Sequence, residues 1–100
     1  MLTSKQRAQL RGMASTEDTI VYVGKNGITE SVVSQMRDAL KARELVKGKV
    51  QESSLLTARE ACEELSRLCN AEPVASIGSK FVLYKENREL GQEKKIKLVK

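Results

Sequence analysis

The sequence predicts a two-layer α/β domain of element order α-β-α-β-α-β-β, built around a mixed four-stranded sheet. Three observations lead there. Thr3 with Gln6 and Thr57 with Glu60 have the spacing of capping boxes, and each opens a stretch of apolar residues at helical intervals. Thr19-Ile20-Val21-Tyr22-Val23 is β-branched and aromatic, too short for a helix, and stops at Gly24. Gly78-Ser79 separates two further strand-like runs and suits a two-residue type II′ hairpin.

Taken in chain order, the first helix spans about Ser4 to Ala14, with Leu10, Met13 and Ala14 on one side. The strand Thr19–Val23 follows. Thr29 can cap a second helix, whose Val32, Val33, Met36, Ala39 and Leu40 form one apolar stripe. Leu45 to Gln51 reads as a second strand, with Lys47 and Lys49 on one side; Gly48 inside it signals a bulge or a close backbone approach. The third helix carries Ala61, Cys62, Leu65, Leu68 and Cys69 inward and Glu60, Glu63 and Glu64 outward. Pro73–Ile77 and Lys80–Lys85 pair as antiparallel neighbours. The two strand–helix–strand connections are long enough to return the chain in parallel with right-handed crossovers.

One hundred residues make one domain with one core. The expected division is a folded domain over residues 1–85 and a polar, basic extension over 86–100, where Lys94, Lys95, Lys97 and Lys100 surround Ile96, Leu98 and Val99. That extension is open to two readings, a frayed tail or a short added strand. No apolar run reaches signal-peptide or membrane-spanning length, so a cytoplasmic protein is expected, with no membrane partner. Cys62 and Cys69 stand seven residues apart on one helix, about 10 Å along it and too far for a disulfide. Without histidine or a C-x-x-C pair they supply no zinc set, and they read as buried thiols.

The net charge is +5, and residues 1–51 hold nine Lys/Arg against five Asp/Glu. Such an excess suits a polyanionic partner. Catalysis is not expected: there is no histidine, the common general base, and no nucleophile-elbow, Walker or metalloprotease motif. No cofactor, metal or small-molecule substrate is expected either. The informative element is Gly24-Lys25-Asn26-Gly27, between a strand and a helix. Its glycines allow positive φ and close backbone approach, the following helix start offers free N–H groups to a phosphate, and Lys25 adds a point charge. A loop of this logic clamps the sugar–phosphate backbone in KH domains. The same tetrapeptide also serves as a plain tight connection, and Glu30 just after it suits that reading. Lys5, Arg7, Arg11 and Lys80 are the further cations that would form a phosphate-tracking patch if they converge on the loop. Glu60, Glu63 and Glu64 should then point away from it.

Four stretches carry a resemblance: Leu2-Thr3-Ser4-Lys5-Gln6-Arg7-Ala8, Val23 to Glu30, Ala42-Arg43-Glu44-Leu45-Val46-Lys47, and Ile77 to Tyr84. In order and spacing they resemble the bacterial YhbY family, the stand-alone form of the CRM domain, over about residues 2–85. The resemblance implies a fold similar to the C-terminal domain of bacterial translation initiation factor three. It also implies RNA binding, on large-subunit ribosomal RNA or a pre-ribosomal particle, through Gly24, Lys25, Asn26 and Gly27 with Lys5, Arg7 and Lys80. Two positions depart from the family pattern: Ser79 replaces a basic residue, and Gly48 a β-branched one. The expected protein is a monomeric RNA-binding assembly factor. A competing expectation is a protein-interaction adaptor that engages a basic ribosomal protein through its acidic third helix.

Overall fold

The structure, a computed structural model, describes residues 2–91 and 95–99; Lys94 and Lys100, assigned above to the basic extension, lie outside the described residues. The elements are α1 (Ser4–Ala14), β1 (Thr19–Val23), α2 (Glu30–Arg43), β2 (Leu45–Val50), α3 (Ala58–Cys69), β3 (Glu72–Ile77) and β4 (Lys80–Tyr84). Both capping boxes close. The Gln6 amide donates to Thr3 Oγ1 at 3.1 Å and the Thr3 amide to Gln6 Oε1 at 3.0 Å; Thr57 and Glu60 repeat the exchange at 3.1 and 2.9 Å. Each box satisfies two donors that a helix start otherwise leaves unpaired.

The sheet order is β1-β2-β4-β3, with β1 parallel to β2 and β4 antiparallel to both of its neighbours. The α2 crossover thus returns the chain in parallel, and α3 sends β3 in the direction of β2, one strand away. Gly78 at φ +60° and Ser79 join the paired residues Ile77 and Lys80, the single positive φ that a type II′ turn requires.

The mixed α/β class and four-stranded sheet are those expected, but the two-layer arrangement is corrected to three. β4 is buried on both faces. Phe81 and Leu83 join the core beneath α2 and α3, whereas Val82 and Tyr84 join Leu10 and Ala14 of α1 in a second cluster. A sheet with two apolar faces must be covered twice, and α1 covers the second.

Gly48 is where the sheet is tightest. A Cβ built on it would overlap the Phe81 ring at Cζ, Cε2 and Cε1, and Phe81 is its register partner on β4. The irregularity foreseen near Gly48 is therefore a close approach; the register shift lies opposite, between Thr19 and Val21 of β1. Cys62 and Cys69 are free and buried in the core under α3. Burial pushes the Cys62 thiol up to about 11 and raises that of Cys69.

The segment after β4 is neither frayed nor a strand among the described residues. It is tied down by Glu44, which is fully buried and ends α2 at φ 55°. Its carboxylate accepts from the amides of Asn87 at 2.6 Å and Ile96 at 2.8 Å, and Lys95 Nζ lies 3.4 Å away. A buried carboxylate is tolerated only when so paired. Ile96 and Leu98 then pack on the α1-side cluster, while Gln9 bonds the backbone of Lys97 and Val99, and Gln6 that of Val99.

Gly48→Ala should cost about 1–3 kcal/mol through overpacking against Phe81, read from denaturant midpoints. In a Phe81→Leu background the same substitution should cost less than half as much. Equal costs in the two backgrounds would show that the ring is not what excludes a side chain at position 48.

Candidate functional site

Val23 ends β1, and the next four residues make a turn closed by the Gly27 amide donating to Gly24 O at 3.0 Å. Gly27 has φ +71°, while Lys25 and Asn26 keep negative φ. That pattern excludes types II, I′ and II′ and fits type I, which favours Gly at its last position. The Gly27 amide is thus consumed by the turn itself. The amides at the tip and those of the first α2 turn remain as donors, because Thr29 caps the helix through the Val32 amide at 3.2 Å and leaves Glu30 and Ser31 without intrahelical acceptors. Lys25 and Asn26 are exposed at the tip.

Beneath the turn lies the connection from β2 to α3. A Cβ on Gly24 would meet Gln51 Oε1 at 2.8 Å, and one on Gly27 would touch Leu56. The Gln51 amide donates to Val23 O and the Val50 amide to Ser79 O, each at 2.8 Å. The Gly24–Gly27 turn, the 51–57 connection and the Gly78-Ser79 hairpin therefore occupy one end of the sheet. Strand register lays a row across this end, Tyr22 to Lys49 to Lys80 to Ile77, one residue from each of the four strands. It lies on the α1 face, but α1 ends one row short. There Lys47 Nζ donates to Ala14 O at 3.2 Å and is spent on the negative end of the helix dipole.

The predicted site residues separate along this axis. Arg11 and Lys80 line one groove between α1 and the sheet, together with Lys47 and Ile77. Arg7 stands one helical turn before Arg11. Lys5 is near the start of α1, beside Leu2, which packs with Tyr84 at the opposite end of the sheet, so the structure does not bring it to the loop. None of Lys5, Arg7, Arg11, Lys25, Lys49 or Lys80 makes an ion pair among the described residues. Lys49 faces Lys80 across β2 and β4, a like-charge pairing that opposes folding.

The acidic residues correct one expectation. Glu63 and Glu64 pair along α3 with Arg59 and Arg67, but Glu60 sits at the loop's end of the sheet, where Thr57 needs it for the capping box. A recess of about 660 Å³ at the other end is lined by Arg37, Lys41, Cys69 and Lys85. Arg37 Nη2 and Lys85 Nζ are engaged there with the last carbonyls of α3, at Leu68 and Cys69, while Lys41 and Arg43 at the end of α2 are exposed and make no ion pair among the described residues. Among the described residues no group of three or more His, Cys, Asp or Glu is placed to hold a metal ion, and no helix is long and apolar enough to cross a membrane.

The fold and site define a mixed α/β domain with a Gly-bounded strand-to-helix turn at one end of its sheet. The chain belongs to the CRS1 / YhbY (CRM) domain family, whose model matches residues 2–85. It is 37% identical over 89 residues to a Bacillus subtilis protein named Probable RNA-binding protein YqeI, covering 89% of this chain and 93% of that one. A Haemophilus influenzae protein named RNA-binding protein is 34% identical over 88 residues, with 88% and 89% covered. The solution structure of a hypothetical protein from Staphylococcus aureus superposes with a TM-score of 0.73 at 35% identity, over 99% of this chain and 100% of that one.

Replacing Gly27 by Ala should destabilise the protein by about 1–2 kcal/mol, since its φ is left-handed. Gly24→Ala should stay within about 0.5 kcal/mol of wild type, because only the end of the Gln51 side chain must move. Thermal denaturation checks both; a Gly27→Ala variant as stable as wild type would mean that the turn does not hold this conformation.

Proposed function

We propose that the chain binds RNA and that the loop end of the sheet is where it does so. The observation that supports this most is the gathering there of Lys25, Lys49 and Lys80 without ion pairs, beside a turn and helix start whose N–H groups suit a phosphate. The names of its relatives agree with that chemistry. Gly24, Lys25, Asn26 and Gly27 hold a backbone phosphate, through the tip amides and the Lys25 ammonium rather than through the Gly27 amide. Lys80 and Arg11 take the neighbouring phosphates, with Arg7 next along α1. Lys5 contributes only to RNA long enough to follow α1, whose 11 residues extend about 16 Å.

The target class is ribosomal RNA of the large subunit, acted on in the cytoplasm during assembly, as the YhbY resemblance implies. The protein binds without turning over a substrate, and the site is complete within one chain, so a monomer suffices. The adaptor alternative is disfavoured by α3, whose outward glutamates are answered by Arg59 and Arg67 or used in its own cap.

Lys25→Ala and Lys80→Ala should each reduce the slope of log affinity against log salt by nearly one unit, since each removes one counterion-releasing contact. Lys41→Ala, at the other end of the molecule, should leave the slope unchanged. Filter binding to large-subunit ribosomal RNA across a salt series reads all three. Equal slopes in Lys25→Ala, Lys80→Ala and wild type would remove the loop end as the RNA site.

A further inference from the structure

We propose that Tyr22 is a base-stacking site, so that the RNA segment lying on the loop end of the sheet is single-stranded; this rests on the RNA-binding reading above. The turn accounts for phosphate and Lys49 and Lys80 for charge, but neither accounts for the residues at the two ends of the row. Tyr22 is 48% exposed and Ile77 60% exposed, on the two edge strands of the sheet. A row with two adjacent cations at its centre and an exposed apolar side chain at each end offers a single strand contacts for both its anionic phosphates and its apolar-faced bases.

The position of Tyr22 strengthens the match. It lies two residues before Gly24, so a nucleotide whose phosphate sits at the turn has its base within reach of the ring. Tyr22 Oη donates weakly to Thr19 O at 3.5 Å, which lays the ring along its own strand. Its register partner is Lys49, and both line the open groove that continues to Gly78 and Ser79. No helix covers the Tyr22–Lys49 half of this row, because α1 ends beside Lys47, whose Nζ bonds the Ala14 carbonyl; α1 flanks only the Lys80–Ile77 half. Paired RNA presents backbone and 2′-hydroxyl groups with its bases stacked inside, and has no free base for the ring; an unpaired loop or end has. The occupant is therefore single-stranded RNA, with bases on Tyr22 and, by apolar contact, on Ile77, and phosphates on Lys49 and Lys80.

The test compares affinities for single-stranded oligoadenylate and for a fully paired RNA duplex of the same length. Tyr22→Ala and Tyr22→Leu should each bind the single strand about 5- to 150-fold more weakly, the range that stacking on one ring gives. Tyr22→Phe should bind it like wild type, the salt slope should be unchanged in all three, and duplex affinity should not move. The side chain is exposed on an edge strand, and matched melting temperatures will show that the variants are folded. If Tyr22→Leu binds the single strand as tightly as wild type, or if both RNAs weaken equally, the stacking site is overturned. In that event the loss of affinity in Lys25→Ala still upholds RNA binding at the turn. Wild type that binds neither RNA overturns both readings together.

Discussion

Phe81 lies on Gly48, and the functional end of the molecule depends on that contact. The ring fills the space where a side chain on β2 would stand, so β2 and β4 can meet in one register only. A slip by one residue would turn every side chain of a strand to the other face. It would also place Phe81 against Lys47 or Lys49, which point toward α1. With the register held, Lys49 meets Lys80, Tyr22 meets Lys49, and the β3–β4 hairpin stops level with the end of β1. The Gly24–Gly27 turn, the 51–57 connection and Gly78-Ser79 then come together without any direct contact having to be specified between the first and the last.

The lengths of the covering helices decide what that end exposes. α2 and α3 bury Val21, Val46, Phe81 and Leu83 on one face, while α1 covers the opposite face only as far as the row containing Lys47 and Val82. Lys47 fixes this limit by bonding the carbonyls of Ala14 and Glu17. The next row is left open with two opposed lysines, an arrangement that costs folding a few tenths of a kcal/mol to about 1 kcal/mol. A bound polyanion would reverse the sign of that cost. At the other end of the molecule Arg37 and Lys85 close the end of α3, and Glu44 gathers the chain that follows β4.

Much of this was legible in the sequence because it is local. The two capping boxes, the five residues of β1 and the Gly-first hairpin each declare themselves within a few positions, and all three stand where the residues indicated. The layer count was not legible: an unbroken apolar run from Phe81 to Tyr84 does not say that a helix at the far end of the chain will cover its second face. Glu44 gave no local sign either, since its partners Asn87 and Ile96 lie 43 and 52 residues away. The turn was recognisable as a site, but the loss of its Gly27 amide and the distance of Lys5 are consequences of three-dimensional placement. Tyr22 is one of only three aromatics in the sequence, and becomes meaningful only once register sets it in one row with Lys49 and Lys80. The position of Glu60 follows from its capping role, which its spacing to Thr57 had already indicated.

The most direct test of the central claim, that RNA meets the loop end of the sheet, is amide chemical-shift mapping during titration with a single-stranded large-subunit ribosomal RNA fragment. The account predicts that the largest shifts fall on residues 22–31, 49–57 and 77–81, with smaller ones at Arg11 and Arg7. It also predicts little change in the second half of α3 or around Lys41, Lys85 and Arg88. Shifts concentrated on α3 and the recess beside Cys69, with the Gly24–Gly27 amides unmoved, would contradict it.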